Sequence, residues 1–299
     1  MSTTPFKKIA LVGGGGAVGK AILEALLATG TTEVIVLTRP DSTTSFPAHS
    51  NLKVERVDPT DINAVSVVLK KHGIEVLVST VGPAATASQH ALVDAAKQAG
   101  VRLFVPSEFG MTTEGVKDAP RVAAKAEVSR YAKSIGLPTL RVYNGALAEF
   151  IPMLGSVQRG TFLVLDPPEG HGAPLPFSIT SLADMGGFVA HVLTTLTPAR
   201  LQDTTLRIEG DRMTFPDLAN LYSRIKSVPV EHVSDLPTDV GTDDFRVWRK
   251  YLLEETNAGR SRVTWDPVQG RDLGVEALAN GLWEGHKWKT AEEAIRDGQ

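Results

Sequence analysis

Cysteine is absent from all 299 residues, which excludes disulfides, thiolate nucleophiles and Cys-ligated metals outright. Histidine is sparse: the 7 copies are scattered, and none falls in an HExxH or comparable ligand spacing, so no metal site is expected. No apolar run approaches the roughly 20 residues that span a bilayer, so no membrane partner is expected either. An excess of positive charge is also missing. With 31 Lys and Arg against 34 Asp and Glu, the formal net charge is −3, and the chain offers no broad basic surface to nucleic acid or anionic lipid. A small molecule is the expected partner, and the oligomeric state is not legible. The start, Met1 to Lys8, is short and polar and runs straight into an apolar segment, unlike a signal peptide. A cytoplasmic location is therefore the default. Internal repeats and low-complexity tracts are lacking too.

What is present is ordinary globular usage, 42% hydrophobic and 22% charged, in a chain long enough for a large core. Its first half alternates short β-branched runs with helical stretches. Strands are expected at Lys8 to Val12, Glu33 to Thr38, Leu52 to Val57, Glu75 to Thr80, Arg102 to Pro106 and Pro138 to Tyr143. Helices are expected at Gly19 to Thr29, Asp61 to Lys71, Ala87 to Ala99 and about Arg121 to Ile135. The strand runs are too continuously apolar to face water on one side, as in buried parallel strands joined by right-handed crossovers. The fold class is α/β, a Rossmann-type doubly wound parallel sheet with a smaller mixed α/β substrate-binding region. After about Phe150 the rhythm loosens. Residues 166–176 (DPPEGHGAPLP) read as a surface loop, Phe177 to Thr180 as a short strand, and Ser181 to Leu196 and Thr214 to Lys226 as helices with hydroxyl N-caps. The tail carries all four tryptophans, Trp248, Trp265, Trp283 and Trp288, among helical patterns, where packing is the default role for so large a side chain.

The strongest local signal is Gly13-Gly14-Gly15-Gly16-Ala17-Val18-Gly19, between the first strand and the first helix. It fits both GxxGxxG and GxGxxG. Glycine is needed there for a tight turn, for close approach of backbone to a pyrophosphate, and for helix–strand packing, and the anion then sits on the helix N-terminus. A phosphate-binding P-loop is the competing reading, since Gly14 to Lys20 satisfies most of GxxxxGK[ST]. Ala21, however, stands where the Mg²⁺-binding hydroxyl belongs, which removes it. The second strand ends Val36-Leu37-Thr38-Arg39-Pro40, without the Asp or Glu that binds a ribose 2′-hydroxyl. Arg39 at that point suits a 2′-phosphate, so NADP(H) is the expected cofactor; the competing role for Arg39 is a solvated surface charge. Residues 1–150 are thus expected to form the NADP-binding Rossmann domain. Residues 151–299 are expected to form the substrate-binding region, with some segments returning to the Rossmann sheet.

The segment Val101-Arg102-Leu103-Phe104-Val105-Pro106-Ser107-Glu108-Phe109-Gly110, taken with the GGGGAVG turn, resembles the isoflavone reductase-like group of the NmrA-like, atypical short-chain dehydrogenase families. The resemblance runs over about residues 7–150 through Ser79-Thr80-Val81-Gly82, Gln89, Lys125, Gly136-Leu137-Pro138 and Asn144. It is faint afterwards, at Asp184 and residues 206–215. It implies an NADPH-dependent reductase of small, often aromatic or unsaturated metabolites. By the same resemblance, Thr80, Val81, Gly82, Gln89, Ser107, Glu108, Phe109, Lys125 and Asn144 lie at the cofactor, and Lys125 is the acid/base residue. Ser129 stands where the plant reductases often carry an arginine on the cofactor phosphate, which leaves Arg39 more of that work. Taken alone, Lys125 is one cation in an Ala-rich helix, and a solvated face is its ordinary role.

A Tyr-x-x-x-Lys pair, the signature of ordinary short-chain dehydrogenases, occurs only at Tyr222 to Lys226. It falls after the sheet should be complete, so Tyr222 is read as a packing residue on an amphipathic helix. His90 is read as a polar helix residue. From topology alone, Phe150, Met153, Phe162, Phe177 and the loop Pro167 to Pro176 are candidates for substrate contact, because ligands of such sheets lie beyond the carboxyl ends of the strands. Two functional classes remain: an NADPH-dependent reductase, or a non-catalytic NADP(H)-sensing regulator of the NmrA type. Lys125 favours the enzyme, because a sensor needs no proton donor beside the nicotinamide.

Overall fold

The structure, a computed structural model, describes residues 4–170, 172–239 and 241–298. Five parallel strands open the chain: β1 (Lys8–Val12), β2 (Glu33–Thr38), β3 (Leu52–Arg56), β4 (Val76–Ser79) and β5 (Leu103–Val105), in the order β3-β2-β1-β4-β5. The order reverses beside β1, where the glycine turn leaves the sheet. Side chains alternate between faces as a period of two demands. Ile9, Leu11, Val34, Val36, Val76 and Val78 belong to one core, and Ala10, Val12, Ile35, Leu37, Leu77 and Phe104 to another. The first is covered by α1 (Ala17–Ala28). The second is covered by α2 (Ile62–His72), α3 (Gln89–Ala99) and α4 (Pro120–Ser134). Helix ends follow local chemistry: the Asp61 carboxylate caps α2 by accepting from the Ala64 N–H at 2.9 Å. Gly73 and Gly100 terminate α2 and α3 in the left-handed region, at φ 62° and 76°.

The sheet does not stop at β5. The Phe104 N–H donates to the Pro138 carbonyl at 2.9 Å and Phe104 bridges Thr139 in parallel, which brings in β6 (Leu140–Tyr143). After β7 (Ala146–Leu147), α5 (Ile151–Leu154), β8 (Phe162–Leu165) and β9 (Phe177–Thr180), the chain returns to this first layer. Helix α6 (Leu182–Thr195), capped by Ser181, lays Met185, Phe188, Val189 and Val192 on the α1 face. It lies so close that a Cβ on Gly186 would stand 2.6 Å from the Ala21 backbone. Then α7 (Pro198–Leu201) leads into β10 (Thr204–Arg207), which pairs in parallel with β6.

A third core fills the remainder. Strand β11 (Asp211–Met213) pairs with β9, and α8 (Phe215–Lys226), capped by Thr214, packs on β8 beside β12 (Val230–Val233). Helix α9 (Asp243–Asn257), the β13–β14 hairpin (Trp265–Asp266 and Arg271–Asp272) and α10 (Ala291–Asp297) complete the chain. Asp184, buried on α6, holds the tail by accepting from the Lys289 N–H and pairing with His286, both at 2.8 Å. Of the tryptophans, only Trp248 is on a helix, contrary to expectation. Trp265 opens β13, and Trp283 and Trp288 sit outside the long helices, packed against the first core. Tyr222 packs as expected, its ring 5.4 Å from that of Phe162. His90 lies on α3 with its ring 5.0 Å from Tyr131. The proline-rich loop runs over the surface, tied to α9 where the Leu175 N–H donates to the Asn257 carbonyl at 2.8 Å; its His171 lies outside the described residues, as do residues 1–3, Val240 and Gln299. Among the described residues no helix is long and apolar enough to cross a membrane, and no His, Asp and Glu cluster is arranged for a metal.

Candidate functional site

The carboxyl ends of β1, β4, β5 and β6 open into one cleft of about 730 Å³. Its floor starts at the glycine turn. Gly13 has φ +84°, and a Cβ there would stand 2.7 Å from the Thr80 hydroxyl. At Gly19 a Cβ would stand 2.2 Å from the Gly13 carbonyl, which is the close helix–strand approach that glycine permits. Gly14 backs onto Val36, and Gly15 faces Thr44 of the loop after β2. Gly16 is the N-cap of α1 at φ −78°, so its need for glycine is spatial rather than conformational: a Cβ there meets nothing closer than 3.5 Å within the protein. The first turn of α1 has no capping side chain and no acidic residue, and Gly16, Ala17 and Val18 face the cleft. Its N–H groups are therefore free to receive an anion.

Beside this turn, Thr80 is pinned by its hydroxyl to the Val12 carbonyl at 2.8 Å, which leads Val81 and Gly82 along the cleft wall. The end of β5 is held by two further bonds. The Ser107 N–H donates to the Gln89 side-chain carbonyl at 2.9 Å, and the Ser107 hydroxyl donates to the Val81 carbonyl at 2.8 Å. The next residues are forced: Phe109 adopts φ +28°, a region non-glycine residues rarely enter and one that concentrates at functional sites. The bend turns the Glu108 carbonyl toward α4, where the half-buried Lys125 ammonium donates to it at 2.6 Å. Burial pushes the Lys125 pKa below its ordinary 10.5, opposed by the Glu108 carboxylate. Burial raises the Glu108 pKa above 4.5, against the pull of Lys125 and of the Thr113 hydroxyl. That hydroxyl lies 3.1 Å from both carboxylate oxygens and 3.1 Å from the Tyr143 hydroxyl, so the carboxyl is committed inside the protein.

Several expected residues support the cleft without lining it. Gln89 is buried and acts through Ser107. Asn144 is fully buried, its amide donating to the Gly145 carbonyl at 3.0 Å, and it is Gly145 that reaches the cleft. Ser129 is buried on α4 away from the cleft, with no partner for its hydroxyl among the described residues. Arg39 lies just beyond β2, 71% exposed, with Asp41 3.8 Å away. The same loop is gripped by Arg56, whose guanidinium donates to the carbonyls of Pro40 at 3.1 Å and Ser42 at 2.8 Å. Arg56 was not singled out from the sequence. Its place opposite Thr38 comes from the pairing of β3 with β2.

On the substrate side the expectations divide. Phe150 and Met153 line the cleft and are 37% and 42% exposed. Phe162 and Phe177 do not: both have no exposure, and they pack with Phe215 at ring distances of 5.5 and 6.2 Å inside the third core. Residues 167–176 contribute nothing to the cleft wall among the described residues. The wall is supplied instead by α9, where Phe245, Trp248 and Leu252, spaced three and four apart, turn one helical face onto the cleft, with Leu147 and Leu154 opposite.

The NmrA-like family model matches residues 5–242. The oxidoreductase BOA1 of Botryotinia fuckeliana is 30% identical over 233 residues, 73% of this chain and 75% of that protein. Phenylcoumaran benzylic ether reductase 1 of Arabidopsis thaliana is 32% identical over 164 residues, 50% of this chain and 53% of that protein. Among solved structures, AtPrR2 with NADP⁺ and (+)pinoresinol superposes with a TM-score of 0.73 at 20% identity, covering 100% of both chains. NmrA, a negative transcriptional regulator, superposes with a TM-score of 0.73 at 19% identity, covering 98% of this chain and 95% of that one. At such identities the structural likeness speaks for the fold.

Proposed function

This chain belongs to the NmrA-like family, with isoflavone reductase-like proteins among its relatives, and from that premise we propose that it is an NADPH-dependent reductase of a small aromatic or unsaturated metabolite. The observation that carries the proposal is the placement of Lys125: a half-buried ammonium in the same cleft as the open N-terminus of α1. The residues fit the cofactor. The first turn of α1 offers N–H groups to the pyrophosphate, the Gly16 surface leaves room for its close approach, and Arg39 offers a guanidinium to the 2′-phosphate. When bound, NADPH supplies a hydride. Lys125 supplies the matching proton to the anion that develops on the substrate, so that the two transfers together make a two-electron reduction. Its bond to the Glu108 carbonyl fixes the ammonium in place, and its lowered pKa makes it a better acid. The apolar wall from Phe150, Met153, Phe245, Trp248 and Leu252 excludes water and receives the flat, apolar part of a substrate.

The likeness to NmrA favours a second reading, a protein that binds NADP(H) and catalyses nothing. The two separate on one experiment: incubation with NADPH deuterated at C4 and a panel of aromatic enones, benzylic ethers and allylic esters. A reductase moves deuterium into the product of at least one compound. Tight NADPH binding with no label transfer across the panel is the result that a sensor gives.

A further inference from the structure

Three ionisable side chains line the cleft among the described residues: Glu108, Lys125 and Arg121. The Glu108 carboxyl is committed to Thr113, and Lys125 is held on the Glu108 carbonyl. Arg121 has no such interior partner. It lies four residues before Lys125 on α4, so both face the cleft, with about 5–6 Å between their Cβ atoms. Its guanidinium lies over the Trp248 ring, 5.8 Å from the centroid, and Trp248 stacks in turn on Tyr251 at 5.6 Å. Its ion-pair partner is Asp244 in the first turn of α9, 78% exposed and outside the cleft lining.

We propose that Arg121 is the specificity residue of this cleft, and that it selects a planar aromatic substrate bearing a carboxylate or similar anion on the side away from the carbon that Lys125 serves. The aromatic class rests on the reductase reading; the charge does not. An exposed ion pair such as Arg121–Asp244 is screened by water and salt and holds its partners weakly, so an entering carboxylate exchanges readily with Asp244. Stacking on Trp248 keeps the guanidinium oriented after the exchange, and its five N–H donors leave room for either carboxylate. The other cation of the lining, Lys125, is held on the Glu108 carbonyl, so an anionic group finds its match at Arg121.

The test is calorimetric titration of the NADP⁺-loaded protein with cinnamate and with methyl cinnamate. The acid is expected to bind about tenfold or more tightly than the ester. Arg121→Met, which keeps the stem over Trp248, should bring the two to parity by weakening the acid alone. Arg121→Lys should restore part of the preference, and Asp244→Asn should strengthen the acid. NADP⁺ affinity should be unchanged in all three. Equal binding of the two probes by the parent, binding of neither, or an acid preference that survives Arg121→Met overturns the assignment. A charge preference without reduction of any compound would sink the reductase reading and leave Arg121 standing. Reduction without a charge preference would do the reverse.

Discussion

At the scale of single residues, the proposed cofactor choice turns on Arg39. Its ion pair with Asp41, at 3.8 Å, is exposed on both sides and so holds it weakly, and Arg56 grips the loop that follows it. Losing one charge-assisted bond to a 2′-phosphate should cost about 1.5–3 kcal/mol. Arg39→Ala is therefore expected to weaken NADPH roughly 10- to 100-fold in titration while leaving NADH within a few-fold. Equal weakening of both would remove Arg39 from the phosphate site. The position of Arg39 just beyond β2 was legible because a strand end is a fixed point in this fold. Arg56 and Arg121 were not, because their roles depend on which loop or helix lies opposite, and no local spacing records that. Trp248 was set aside for a related reason: a large aromatic gives no sign, in sequence, of whether it faces a core or a cleft.

The elements themselves were legible wherever one period governed them. The first six strands and four long helices lie where the alternation placed them, although β3, at the sheet edge, has no buried residue, unlike the apolar runs expected, and Ser181 and Thr214 cap α6 and α8 as their hydroxyls indicated. The glycine turn also lies where it was read, with a positive φ at Gly13. The error came in β8 and β9. An apolar strand after a glycine-rich loop reads the same whether it lines a ligand site or a core, and here every residue of both strands is buried. Phe162→Ala should therefore lower stability by about 3–5 kcal/mol in denaturant unfolding and leave NADP⁺ affinity intact in the folded fraction. Phe150→Ala should do the opposite, with little change in stability and weaker substrate binding. A Phe162→Ala protein of parental stability would place the residue outside the core.

At the scale of the whole molecule, segments after residue 150 return to the first layer, as β10 on β6 and α6 on α1. We propose that the nucleotide-binding unit comprises the residues up to about 150 together with α6 and β10. Without them, Leu140 and Val142 lose their parallel partner strand and the α1 face loses Met185, Phe188 and Val189. A fragment ending at residue 150 should accordingly show no cooperative unfolding, whereas addition of residues 181–210 should restore at least partial order; a cooperatively folded short fragment would contradict this. Both parts of the chain line the cleft, with α5 and α9 of the later part facing it alongside the glycine turn and Lys125 of α4. The account as a whole turns on what that lysine does. An interaction made only in the transition state appears in turnover and not in cofactor affinity. The decisive measurement compares Lys125→Met with the parent on any compound the parent reduces, following NADPH affinity and the pH dependence of kcat together. The account predicts NADPH affinity within a few-fold, a rate lower by about 10²–10⁴, and loss of the alkaline limb along which the parental rate falls as pH rises through a lysine pKa held below 10.5. Parental turnover with the alkaline limb intact in Lys125→Met would contradict it.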